Sequence, residues 1–221
     1  MNKMVDFNIH PVRTGILIID MTNAFLKPGV TLEVPAGRGL IPGLSRLIEK
    51  GRSAGIPIIF TTQAYRATGV DLGLNAVFRP ATQDRKPTLE GSEEADFFEG
   101  LKPGEKDVVI VKRRFSAFIG TDLDLILRGS GIDTLIIGGV LTNVCCESTA
   151  REARMRDYQV IFLSDGTATR GLPDMGWGEV SEKDLQRVVL TQMAYQFAQV
   201  LTIEAVIGKI SGQRPAQQLN Y

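Results

Sequence analysis

The 221-residue chain has two cysteines, the adjacent pair Cys145 and Cys146, and one histidine, His10. A thiol is the strongest nucleophile among these side chains, and its reactive form is the thiolate. With a single histidine in the leader, a Ser-His, Cys-His or multi-His zinc arrangement is out of reach, so that thiol needs another activator. Neighbouring Cα atoms lie too close for a relaxed disulfide, which leaves reactivity or packing as the use of the pair. Both sit in GGVLTNVCCESTAR, residues 138–151, which reads as a buried strand turning through glycines into a helix with the cysteine in its first turn. The free N–H groups and positive dipole end there favour a thiolate, and lower a cysteine pKa from about 8.5 to between roughly 3.5 and 7.5. Adjacent helical residues diverge by about 100 degrees, so one of the two faces a crevice and the other packs.

Two charged residues complete the set. Asp20 closes the run TGILIID and Lys112 follows DVVIV. Taken singly, each has a plain structural use: cysteine is a common core residue, a lone aspartate caps a turn, and a lysine after a strand starts a surface loop. Taken together, all three fall at the carboxyl ends of separate predicted strands, where open α/β sheets place their ligands.

The elements that position them alternate. Strands are predicted at Thr14–Asp20, Pro57–Thr62, Asp107–Val111, Thr134–Ile137 and Gln159–Leu163, with a last short one at Ile203–Val206. Helices are predicted at Leu40–Ala54, Asp122–Arg128, Asn143–Asp157 and Ser181–Val200. The stretch Gln63–Lys106 breaks into glycine, proline and charge with at most a helical turn near Glu93–Phe98, and a long irregular excursion of this kind is read as a lid or an interface arm. Alternation predicts an α/β three-layer sandwich, a mainly parallel sheet with helices on both faces. The length suits one domain over 1–221, with about 1–12 a leader and 213–221 a polar tail, each flexible or at a subunit interface.

Lys plus Arg equals Asp plus Glu at 25 each, so the basic footprint of a nucleic-acid binder is missing. No run is long and apolar enough to span a membrane and none resembles a signal peptide, which predicts no membrane partner and a cytoplasmic location.

The segments ILIIDMTNAF, VVIVKRRFSAFIGTDL and GGVLTNVCCESTAREA stand in the order and spacing of the isochorismatase-like cysteine hydrolases, and the chain resembles that superfamily from about Thr14 to Ala168. TNVCCESTAR is most similar to biuret hydrolases and ureidoacrylate amidohydrolases, whereas TTQAYR at Thr61–Arg66 resembles N-carbamoylsarcosine and maleamate amidohydrolases. The resemblance implies an enzyme that cleaves a C–N bond of a small ureido, carbamoyl or amide substrate through a thioester. It assigns Asp20 as general base, Lys112 as the cation beside the nucleophile and Cys145 as the nucleophile. It also implies a cis peptide between Val140 and Leu141, with the N–H groups of Leu141 and Cys145 as oxyanion hole. Phe25, Gln63, Tyr65 and Phe118 fall in segments that meet substrate in relatives; simple packing is the other reading of the two phenylalanines. The resemblance further implies a homodimer or homotetramer.

Two departures stand out. Nicotinamidases of this superfamily place an aspartate and paired histidines after the second strand, where this chain reads TTQAYRATGVD, so neither metal nor cofactor is expected. Met21–Phe25 reads MTNAF where many relatives have MQNDF, and Cys146 stands where valine is usual. Relatives acting on maleamate-like or nicotinamide-like amides, and a non-catalytic protein that keeps the fold, are the alternatives.

Overall fold

A computed structural model describes residues 5–78 and 88–212. Six parallel strands form one sheet: β1 (Thr14–Ile19), β2 (Ile58–Gln63), β3 (Val108–Lys112), β4 (Thr134–Val140), β5 (Gln159–Ala168) and β6 (Gln199–Leu201), in the order β3-β2-β1-β4-β5-β6. The expected α/β sandwich is therefore the architecture found. The order runs outward in both directions from the β1/β4 boundary, and at such a switch point the following connections leave to opposite sides and open a crevice.

Successive residues of a strand point to opposite faces, so a strand covered on both sides reads as an unbroken apolar run. Ile16, Ile18, Phe60 and Ile161 pack on one face with helices α1 (Ile41–Ser53) and α5 (Ile203–Ile210). Leu17, Ile19, Ile59 and Ile137 pack on the other with α2 (Leu123–Gly129), α3 (Glu147–Met155) and α4 (Glu182–Gln192). β1 and β4 are buried along their whole length, while the edge strand β3 leaves Val109 and Val111 partly exposed.

Near the carboxyl end the chain departs from the expected pattern. The helix anticipated over Ser181–Val200 ends at Gln192, passes through a π turn at Met193–Phe197, and Gln199–Leu201 pairs with β5 as the sixth strand. Ile203–Val206, anticipated as a strand, opens α5 instead. The Thr202 side chain caps that helix by accepting from the Ala205 N–H at 3.2 Å, and Ile203, Val206, Ile207 and Ile210 repeat at the spacing of one helical face. A four-residue segment does not distinguish the two periods; the cap does.

Residues 5–12 of the leader make contacts with the domain. The Phe7 N–H donates to Gln199 Oε1 at 2.8 Å, and Lys209 Nζ reaches Asp6 Oδ1 at 2.5 Å and the Phe7 carbonyl at 2.8 Å, tying it to β6 and α5. Residues 1–4 and the anticipated tail at 213–221 lie outside the described residues. No described helix is long and apolar enough to cross a membrane.

Candidate active site

Asp20 is the first residue past β1 and turns the chain with φ +49°. Its backbone N–H donates to the Thr61 carbonyl and to Thr61 Oγ1, both at 3.2 Å, and Thr61 Oγ1 donates in turn to Asp20 Oδ1 at 2.6 Å. Lys112 ends β3, two strands away. Its ammonium lies 2.7 Å from Asp20 Oδ2, 3.3 Å from Cys145 Sγ and 3.1 Å from the Arg114 carbonyl, so each of its three protons has an acceptor. Asp20 and Lys112 are wholly buried and Cys145 is 1% exposed. The three residues that the sequence aligned at strand ends are thus in mutual contact.

Burial and charge act against each other here. Burial favours neutral Lys112, but the Asp20 carboxylate and the Cys145 sulfur outweigh it and raise the lysine above its ordinary value, so it stays an ammonium. At Cys145 burial wins: it pushes the thiol up to about 12, against the pull of Lys112 and with the push of Asp20. The expectation of a cysteine lowered by a helix terminus is therefore reversed, because desolvation of the anion exceeds what one cation and a turn of backbone return. Cys146 is buried as well, and burial raises its thiol well above its ordinary value.

A glycine lets β1 and β4 meet closely enough for this contact. Gly139 has φ +120°, and a β-carbon there would lie 2.0 Å from the Ile19 carbonyl oxygen. β4 then ends in a cis peptide between Val140 and Leu141, as the resemblance implied. The chain enters a π turn over Thr142–Cys146, not the first turn of an α-helix, and α3 follows. The Val144 and Cys146 N–H groups both donate to the Leu141 carbonyl, at 3.2 and 3.1 Å.

A cavity of about 370 Å³ opens on this turn. Cys145 and Leu141 line it, together with Phe25, Phe115, Asn143 and Arg170. Thr169 Oγ1 donates to Asn143 Oδ1 at 2.5 Å, which turns the asparagine's N–H end the other way. Arg170 Nη1 holds the Thr31 carbonyl at 3.2 Å.

Of the four residues expected to meet substrate, Phe25 alone is on this wall. Gln63 and Tyr65 are buried outside it: Gln63 Oε1 accepts from Cys145 Sγ at 3.7 Å, and its Nε2 donates to the Tyr65 hydroxyl at 2.6 Å. Phe118 takes the packing alternative, its ring 5.8 Å from that of Tyr158 with the Arg156 guanidinium 5.2 Å away. Sequence reading missed Phe115, Asn143, Ser148, Arg170 and Leu172 of the wall, and Thr61 beneath the carboxylate. Arg170 had a usable signal, a cation two residues past the end of β5. Among the described residues no three His, Cys, Asp or Glu side chains gather as a metal site would need.

Residues 14–205 match the isochorismatase domain family. An Arabidopsis thaliana protein named a probable inactive nicotinamidase is 34% identical over 157 residues, 70% of this chain and 80% of its own. A ureidoacrylate amidohydrolase of Methylobacterium radiotolerans is 31% identical over 180 residues, 74% of this chain and 70% of its own. The crystal structure of a cysteine hydrolase from Pseudomonas syringae superimposes with a TM-score of 0.93 at 35% identity, covering 96% of this chain and 99% of that one.

Proposed function

The chain belongs to the isochorismatase family, and we propose that it is a cysteine-dependent amidohydrolase of a small ureido, carbamoyl or amide compound. The observation that carries this reading is the buried contact of Lys112 with both Asp20 and Cys145 beside a cavity that Cys145 lines. A cavity of about 370 Å³ suits a small molecule and excludes a macromolecular substrate from the sulfur.

In this reaction Asp20 takes the thiol proton as the sulfur attacks the substrate carbonyl carbon, and Lys112 balances the charge on whichever neighbour carries it. A thiol held near 12 at rest fits that sequence, because the proton leaves in step with bond formation. The carbonyl oxygen becomes an oxyanion held by the N–H groups of Leu141 and Cys145. The i→i−5 bond from Cys146 to Leu141 supports this assignment, since it is the first rung of the π turn and Cys145 precedes it. One such donor is worth roughly 2.7–4 kcal/mol in the transition state. Collapse breaks the C–N bond, with the Asp20 proton passing to the leaving nitrogen, and ammonia or an amine departs. Asp20 then takes a proton from water, the hydroxide attacks the thioester and breaks its C–S bond, the Asp20 proton returns to the leaving sulfur, and an acid or carbamate leaves. The steps use the chain's own groups and no metal or cofactor. A cytoplasmic homodimer or homotetramer completes the proposal. Exposed Met175 and Trp177 support self-association, as they extend the same loop as the cavity residue Leu172.

A second reading, a binding protein that retains the fold, draws on the Arabidopsis relative named as inactive. Ammonia release from biuret, ureidoacrylate, N-carbamoyl amino acids, maleamate and nicotinamide, with chelator present, separates the two. Turnover of a ureido or carbamoyl compound that disappears in Cys145→Ser and survives in Cys146→Ser is expected. Loss in Cys146→Ser alone would refute the nucleophile assignment, and a folded protein inert throughout would favour the binding reading.

A further inference from the structure

Gln63 is 3% exposed and Tyr65 fully buried, and neither is on the cavity wall. Gln63 joins the sulfur to a short buried chain. Its Oε1 lies 3.7 Å from Cys145 Sγ, its Nε2 lies 2.6 Å from the Tyr65 hydroxyl, and Asn75 Nδ2 donates to that same hydroxyl at 2.7 Å. A primary amide offers an acceptor at one end and donors at the other, and a half turn exchanges them. A phenol both accepts and donates. Two bonding patterns of the amide therefore exist over the same heavy atoms. In one, the thiol S–H points at Gln63 Oε1 and Gln63 N–H points at the tyrosine oxygen. In the other, Gln63 N–H points at a thiolate and the tyrosine O–H points at Gln63 Oε1, with Asn75 still donating to the phenol oxygen.

We infer that Gln63 is a catalytic residue whose amide follows the charge on Cys145, presenting its carbonyl to the thiol and its N–H to the thiolate, with Tyr65 and Asn75 as positioning residues that complete either state. The inference rests on Cys145 being the nucleophile of the proposed reaction. The titratable groups that face the sulfur are Asp20 past β1, Lys112 on β3 and Cys146 on its own turn. Asp20 receives the proton and Lys112 supplies fixed positive charge, so Gln63 is the neighbour able to change from acceptor to donor as the proton leaves. No bond is made or broken at Gln63; the S–H turns from Gln63 Oε1 to the Asp20 carboxylate and passes its proton there, while the amide and the phenol O–H rotate. The thiol is thus held protonated between turnovers and the anion gains a donor during attack.

Iodoacetamide tests this without any knowledge of the substrate. The alkylation rate of Cys145, located by tandem mass spectrometry, is measured in the intact protein at about pH 8, where it reports the thiolate fraction. Gln63→Leu, which removes the donor, is expected to slow it about tenfold, the worth of one hydrogen bond to a charged atom. Gln63→Glu, an acceptor that adds a like charge, should slow it about a hundredfold. A group that only met substrate would leave the Gln63→Leu rate unchanged, and an unchanged rate in that variant overturns the inference. The wild type supplies a measurement independent of folding: the Gln63 side-chain carbonyl carbon resonance should move in step with the Cys145 alkylation rate as pH rises. Alkylation that accelerates while that resonance stays fixed overturns the inference and leaves the nucleophile standing. A wild-type Cys145 that iodoacetamide never modifies overturns both.

Discussion

Lys112 and Arg113 are neighbours in the chain, each paired with an aspartate, and the two pairs differ in nearly everything else. Lys112 and Asp20 meet at 2.7 Å with both side chains fully buried. Arg113 meets Asp71 at 2.7 Å and also Glu90, with its side chain 18% exposed and Glu90 43% exposed. The outer pair fastens the loop after β2 to the end of β3, a structural task that many residue pairs perform. The inner pair takes two full charges out of water, at a cost that two apolar side chains of the same volume would avoid. A fold has no need of it, which is why the inner pair points to chemistry and the outer one does not.

That contrast has consequences that can be ranked. Lys112→Met leaves the Asp20 carboxylate buried without its cation and should lower stability by about 3–5 kcal/mol in denaturant unfolding. Stability close to wild type would mean that the inner pair is dispensable. Thr61→Val removes the hydroxyl that donates to Asp20 Oδ1; a hydrogen bond to a charged group predicts a loss of about 1.5–3 kcal/mol, together with slower amide turnover. An unaltered melting curve would place that carboxylate oxygen in contact with water.

The pairs should also fail at opposite ends of the pH scale. Cys145 is held at about 12 against an ordinary 9.0, so between those values the folded state binds more protons than the unfolded chain. Stability then falls as pH rises through that window, with a slope of up to about 1.4 kcal/mol per pH unit for one proton. Lys112 acts in the same direction. Burial opposes its charge, but Asp20 and Cys145 raise its pKa, so its contribution is complete below 10.5 and is lost as pH climbs through the folded value. Asp71 behaves oppositely. Burial raises its carboxyl, but bonds from Arg113 and the Arg66 N–H outweigh that and hold it below 3.8, so its contribution is present above that value and lost as pH falls through the folded one. Unfolding curves at several alkaline and acid pH values check both signs. Last, Arg113→Gln should cost about 1 kcal/mol or less, as partly exposed pairs usually do. A loss as large as that of Lys112→Met would erase the distinction between the pairs.

The strand ends were legible in the sequence because a fully buried parallel strand has to be apolar until it stops, which makes Asp20, Lys112 and the glycines before Cys145 conspicuous. The cavity wall was not. Phe115, Asn143 and Arg170 come from three separate connections, and their convergence depends on how those connections cross the sheet ends. Gln63 and Tyr65 were found as residues, but adjacency to a site in sequence could not show that Gln63 bonds to the sulfur and to Tyr65. The sixth strand was hidden for another reason. Gln199–Leu201 is three residues long and borders a helix on either side, too short to establish a period of its own.

Gly139 bears on how such a protein can change over generations. Every side chain placed there would collide with the Ile19 carbonyl and strain a backbone held at φ +120°. Mutation at that codon therefore pushes apart the strands that carry Asp20 and Cys145 before it touches either residue. The cavity wall lies under no such restriction, since Arg170 and Leu172 belong to a surface connection that can lengthen or exchange residues without moving the sheet. Descendants of this chain inherit the reaction geometry as a fixed quantity, and diversify in what they admit to it.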